Sequence, residues 1–187
     1  VEVDIALAAD LVTATIDGSK DTDAVRVAAL TATALAAQTG PAIAFVSQDL
    51  TTATISGDVA SVSAVSQANL ETLTVSADLG KGALTVTGNG DLTSLVVTGA
   101  TIGNVNVSTN LDLETLTMDH TTAVSTAAKG AVVAISGNTN MTSLTFSADK
   151  VKSLTVSGNT QLATVNFTGL ATMGTATSAV AAVKANA

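Results

Sequence analysis

One histidine and no cysteine narrow the chemistry that these 187 residues can perform. His120 sits beside Asp119 in the segment DHTTAVSTAAKG, residues 119–130. A histidine metal cluster needs partners that are absent, and a Ser-His-Asp triad would have to be built around this one imidazole. No nucleophile is marked near it, so His120 reads as an exposed loop residue. Thiolate metal sites and disulfides are excluded outright. Asp17, Asp21 and Asp23, in DGSKDTD, offer oxygen ligands that suit calcium, but their spacing is not that of an EF-hand loop. Helix capping and solubility explain them more simply, so calcium is the one cofactor candidate and none is required.

Paired carboxylates are the remaining catalytic option. Glu71 and Glu114 occupy one position of an internal repeat, two copies apart, surrounded by Ser, Thr and Gly. Sugar-cleaving sites on elongated β folds offer aromatic faces to the ring. Here there is no Trp, no Tyr and three Phe, all at positions expected to face inward. Without that platform glycan cleavage is disfavoured, and the chain reads as non-enzymatic.

The elements that must position these residues follow from the composition and the repeat. Hydrophobic residues make up 47% and charged residues 12%, about half the usual charged share. Mean hydropathy is +0.49, which argues for a folded chain rather than a disordered one. Polar breaks every two or three positions exclude a membrane-spanning helix. Seven basic against 15 acidic residues give a net charge of −8, so nucleic acid is not an expected partner. The chain begins at Val1 with no basic-then-apolar leader, as a mature or excised product would.

Two phrases alternate from Leu70 onward. The first, Leu-x-Thr-Leu-x-Val-Ser, begins at Leu70, Leu92, Leu113, Met141 and Leu162. The second, Leu-x-Val-x-Gly-Asn, begins at Leu84, Val105, Val133 and Leu154. Leu84 to Val105 and Val133 to Leu154 are each spaced by 21 residues, whereas Val105 to Val133 is 28, which places a seven-residue insertion in residues 119–130. Worn copies begin at Leu50 and Val59, and residues 43–45 would be the first strand. Roughly six coils are expected.

Apolar residues recur at i and i+2 in each phrase, as in Leu73/Val75, Leu84/Val86 and Leu144/Phe146, with Thr or Asn between them. Strict alternation over so few residues predicts strands with one buried face. Strands this short are stable only when each pairs with its equivalents in the adjoining coils. The predicted fold is therefore mainly β, a parallel β-solenoid with coils of roughly 21 residues. Gln67, Asn89, Asn110, Asn138 and Asn159 each precede the leading Leu or Met of a strand by three residues. At one register they would stack into a ladder of side-chain amides, with Gly88, Gly137 and Gly158 supplying the corner before three of them.

The stretches ISGNTNMTSLTFS at residues 135–147 and LTVSGNTQLATVNF at residues 154–167 resemble the repeat of receptor L-domain-like and leucine-rich-repeat-type solenoids of cell surfaces. Residues 170–174, LATMG, resemble that repeat's third side. The resemblance covers about two thirds of the chain and implies a β-helix with short parallel sheets. The cysteine caps of the receptor versions are missing, and Thr and Ala are far commoner. In composition the chain is similar to bacterial surface-layer and extracellular matrix proteins, which are acidic, rich in Thr and Ala, and free of cysteine.

Three segments result: residues 1–41 as an N-terminal segment and capping helix, 42–175 as the solenoid and 176–187 as a tail. The helix is expected over residues 22–38, because Val25, Ala28, Ala29, Ala32, Leu35 and Ala36 follow helical spacing and Gly40-Pro41 would end it. Ahead of it, Val1-x-Val-x-Ile and residues 11–16 could be strands, and the tail could add to an open sheet edge in this molecule or the next. Outward positions place Thr72, Thr74, Thr115, Thr117, Thr145 and Thr164 in rows, interrupted by Val96, Asp119 and Asn166. The expected role is a structural subunit of a bacterial cell-surface layer or extracellular filament or matrix, with the chain itself as partner in a homopolymer and cell-surface glycan as a second partner. The alternative is a binding module, through ice at the Thr rows or through adhesion at the insertion.

Overall fold

A period of two in the sequence becomes two stacked parallel sheets in the computed structural model. It describes residues 2–7, 13–16, 29–34, 42–45, 50–57, 59–80, 82–99, 102–119, 131–148, 150–168, 172–173 and 181–183. Odd-numbered strands β1 (Glu2–Leu7), β3 (Ala29–Ala34), β5 (Thr52–Gly57), β7 (Thr72–Val75), β9 (Ser94–Val97), β11 (Thr115–Asp119), β13 (Ser143–Ser147) and β15 (Thr164–Thr168) form the first sheet, in that order. The second sheet runs through β2 (Thr13–Ile16), β4 (Ala42–Phe45), β6 (Ser61–Val65), β8 (Leu84–Thr87), β10 (Val105–Ser108), β12 (Ala131–Ser136) and β14 (Lys150–Ser157). Beyond β14 it takes β16 (Thr172–Met173) and β17 (Ala181–Val183), both paired with β14. Every pairing is parallel, so the chain is a parallel β-solenoid of about five turns of about 21 residues.

Registration in both sheets places like on like. Leu73, Leu95, Leu116 and Leu144 lie side by side in one row, and Val75, Val97, Met118 and Phe146 in the next. The facing sheet aligns Val62, Leu84, Val105, Val133 and Leu154. All of these side chains are buried. Each contributes about 1.5–3 kcal/mol by leaving water, which offsets the ordering entropy of a 21-residue coil only when neighbouring coils cover it on both sides. The interior is narrow, which is why it holds Leu, Val, Ile and Ala with few larger side chains.

Several expectations need correction. Residues 29–34 are strand β3, not part of a helix over residues 22–38. Leu30, Ala32 and Ala34 alternate with Thr31 and Thr33, and Ala fits either spacing, so the choice falls to pairing: β3 bonds to β1 on one side and β5 on the other. The rest of that expected helix lies outside the described residues, and among those described there is no helix. Residues 43–45 are not the first strand, because β1, β2 and β3 precede them in the same two sheets. Nor is there a third side among the described residues. Thr172 and Met173 pair with Lys150 and Val151 in the second sheet. The described turns number about five rather than six.

Beyond residue 175, the tail adds to an edge of its own molecule: Ala181, Ala182 and Val183 lie opposite Leu154, Thr155 and Val156. The insertion falls between β11 and β12. It leaves the ladder of pairings intact, with Val105 opposite Val133 across 28 residues just as Leu84 is opposite Val105 across 21.

Candidate functional site

Five amides form the most regular polar feature of the molecule. Gln67 is 2% exposed, and Asn89, Asn110, Asn138 and Asn159 are fully buried. Asn89 donates its backbone N–H at 3.1 Å and its Nδ2 at 2.8 Å to Asn110 Oδ1. Asn110 does the same to Asn138 Oδ1, at 3.0 and 3.1 Å, and Asn138 to Asn159 Oδ1, at 3.0 and 3.1 Å. The second Nδ2 proton of each goes back one coil, from Asn89 to Ala64 O, Asn110 to Val86 O, Asn138 to Val107 O and Asn159 to Ile135 O. Donors and acceptors that the narrow corner shuts away from water are thereby satisfied.

Gln67 breaks the pattern through one extra methylene. Its backbone N–H still reaches Asn89 Oδ1, at 2.9 Å. Its Nε2, however, bonds Phe45 O at 3.0 Å and Val65 O at 2.8 Å, so the amide-to-amide link is exchanged for a local one. Gln67 Oε1 is left buried without a hydrogen-bond partner.

The residue before each amide turns the corner with positive φ: Ser66 at 55°, Gly88 at 68°, Thr109 at 54°, Gly137 at 66° and Gly158 at 65°. Glycine adopts this region freely; Ser and the β-branched Thr do so at a cost. The glycines of the phrase announced the corner, but nothing in the residue types announced Ser66 and Thr109. A second column, exposed and not foreseen, runs two residues further on. Asn140 donates Nδ2 to Asp112 Oδ1, and Gln161 donates Nε2 to Asn140 Oδ1, both at 3.1 Å.

On the outer face of the first sheet, Thr72, Ser94, Thr115, Ser143 and Thr164 stand in one row. Thr74, Val96, Thr117, Thr145 and Asn166 stand in the next. Strand spacing sets neighbouring hydroxyls in a row about 4.8 Å apart at the backbone. Thr115 Oγ1 and Ser94 Oγ are 3.5 Å apart. Val96 and Asn166 interrupt the second row, and Asp119 lies at the strand end beyond it.

Glu71 and Glu114 do share a column, but Thr93 stands between them: Thr93 N–H donates to Glu71 O and Glu114 N–H to Thr93 O. Two strand spacings put their backbones about 10 Å apart. Both side chains are exposed on the coil surface. His120, Asp17, Asp21 and Asp23 lie outside the described residues, and among those described no group of three or more His, Asp or Glu could hold a metal ion. No helix among them is long and apolar enough to cross a membrane.

The last strand of the first sheet differs from those before it. Val165 and Phe167 continue the inward rows of Leu144 and Phe146, yet are 38% and 36% exposed, because no strand among the described residues lies over them. The expectation that all three Phe are inward holds for Phe45 and Phe146, both buried, and is corrected for Phe167. The Phe167 ring packs edge-on against Phe146, centroids 6.2 Å apart at 76°. Comparison with known proteins finds no matching family model, no matching curated protein and no matching solved structure. Functional reasoning therefore starts from these surfaces.

Proposed function

We propose that the chain is a structural, non-enzymatic subunit of a bacterial cell-surface layer or extracellular filament or matrix, assembling with copies of itself by strand addition or end-to-end packing. The observation that carries this reading is the end of the first sheet, where β15 presents an unpaired edge and a half-open apolar row. The acidic, cysteine-free, Thr- and Ala-rich composition supports a place outside the cell, as does the resemblance to L-domain-like and leucine-rich-repeat-type surface solenoids. Cell-surface glycan is the second partner in this proposal. Negative-stain microscopy of the purified full chain should show ordered polymers; a monodisperse monomer at high concentration, with and without calcium, would overturn the reading.

The registered hydroxyl rows favour one alternative, a binding module whose Thr face takes ice. That reading expects thermal hysteresis that disappears when Thr74 and Thr117 are replaced by bulkier residues. Adhesion through residues 119–130 is its other form.

A further inference from the structure

We propose that the polymer is built head to tail, with β1 of one copy adding in parallel to β15 of the next, in the register that the first sheet already uses. This deepens the self-assembly reading and rests on it.

Three observations converge on a second copy as the occupant of the β15 edge. First, β1 and β15 are the two ends of one sheet, and each has a single strand neighbour among the described residues. Second, the pairings carry one continuous register from end to end. Val3 lies in the row that finishes at Val165, and Ile5 in the row that finishes at Phe167. A copy placed over β15 would set Val3 on Val165 and Ile5 on Phe167, continuing apolar rows with apolar residues. Third, the far end is level. The first sheet is eight strands deep at β15, and the second reaches the same depth where β16 and β17 share the free edge of β14. No element of the second sheet projects past β15 to obstruct a stacked copy. Joining the two different ends of a solenoid is a heterologous contact, and because stacking does not close on itself it yields an open filament.

The absence of cysteine allows a direct test. Asp4 and Asn166 occupy the two ends of one row, so within a molecule they are seven strand spacings, about 34 Å, apart. Across the proposed junction they would be direct neighbours, within reach of a disulfide. The full chain carrying both Asp4→Cys and Asn166→Cys should give, after mild oxidation, a ladder of multimers that reductant collapses. Each single variant alone should give none, and an equimolar mixture of the two should give covalent dimer and nothing larger. Dimer from Asn166→Cys alone would mean that β15 meets β15, and would overturn the proposal. So would polymers by microscopy of the unsubstituted chain with no cross-link from the double variant, an outcome that leaves self-assembly standing. If the unsubstituted chain is a monomer, self-assembly itself falls. Should the double variant fail to show the β-sheet circular dichroism of the parent, Glu2→Cys with Thr164→Cys, which end the adjoining row, repeats the measurement with the same outcomes.

Discussion

Asn89 commits two donors, its backbone N–H and its Nδ2, to a single oxygen one coil away, Asn110 Oδ1. That oxygen has two lone pairs and both are used. The pair is the unit from which the buried ladder is built, and removing its acceptor strands two donors that water does not reach.

Asn110→Ala is therefore expected to cost roughly 3 kcal/mol or more, at about 1–3 kcal/mol for each buried group left without a partner. Asn140→Ala, in the exposed column, should stay within about 0.5 kcal/mol. Urea unfolding of the two variants checks the contrast, and equal losses would refute a special role for the buried ladder.

The same position makes a pH-dependent variant. Asn110→Asp keeps the acceptor but places a buried carboxylate against Val86 O and Asn138 Oδ1, where a donor stood. Burial without a positive partner raises the folded-state pKa above its unfolded value, so the folded state binds the proton more tightly. Stability of this variant relative to the parent should rise as pH falls through the folded pKa and stay low above it. Unfolding curves across acid and neutral pH measure the difference.

Thr109 holds φ at 54° where the equivalent corners at Gly88 and Gly137 use glycine. Thr109→Gly relieves strain of about 1 kcal/mol or more, so its melting temperature should rise. Gly137→Ala should lower it. A fall for Thr109→Gly would show that the Thr109 hydroxyl, 2.7 Å from Ser108 O, outweighs the strain.

A Cβ at Gly99 would come within 1.8 Å of Ala77 O, and one at Gly82 within 1.6 Å of Ala60 O. Since a backbone carbonyl would have to move, Gly99→Ala should destabilise by about 3 kcal/mol. Gly80, with φ of 55° but nothing within 4 Å, is the control: Gly80→Ala should cost about 1 kcal/mol, the backbone penalty alone.

Restoring the 21-residue spacing is the mildest change expected. Deleting seven of residues 120–130 shortens a connection whose flanking strands already pair in register. Closure entropy changes by well under about 1 kcal/mol. The melting temperature should move by a few degrees at most, and a collapse of the fold would mean that the insertion is part of the core.

Much of this architecture is legible in the residues. Leu at i and Val at i+2 specify a one-sided strand, and a spacing of 21 specifies which strand lies beside it. The buried amides were visible because five of them precede a strand by the same count. Ambiguity entered where side chains are small. Ala29, Ala32 and Ala36 satisfy a helical period, while Leu30, Ala32 and Ala34 satisfy a strand, and pairing across about 20 residues chose β3. Two further features carry no local signal at all. The close approach of Gly99 to Ala77 depends on how tightly two coils nest, and the exposure of Phe167 depends on where the stack stops.

The ladder also has a direction. In every step the oxygen faces the earlier coil's donors and the Nδ2 reaches toward the later coil. Aligned amides polarise one another, so this column is a line of dipoles in series, negative toward the first coil and positive toward the last. The solenoid is consequently an electrically polar rod, whose two ends differ in sign as well as in shape. Copies stacked in one sense would add their dipoles, whereas copies meeting end against like end would oppose them.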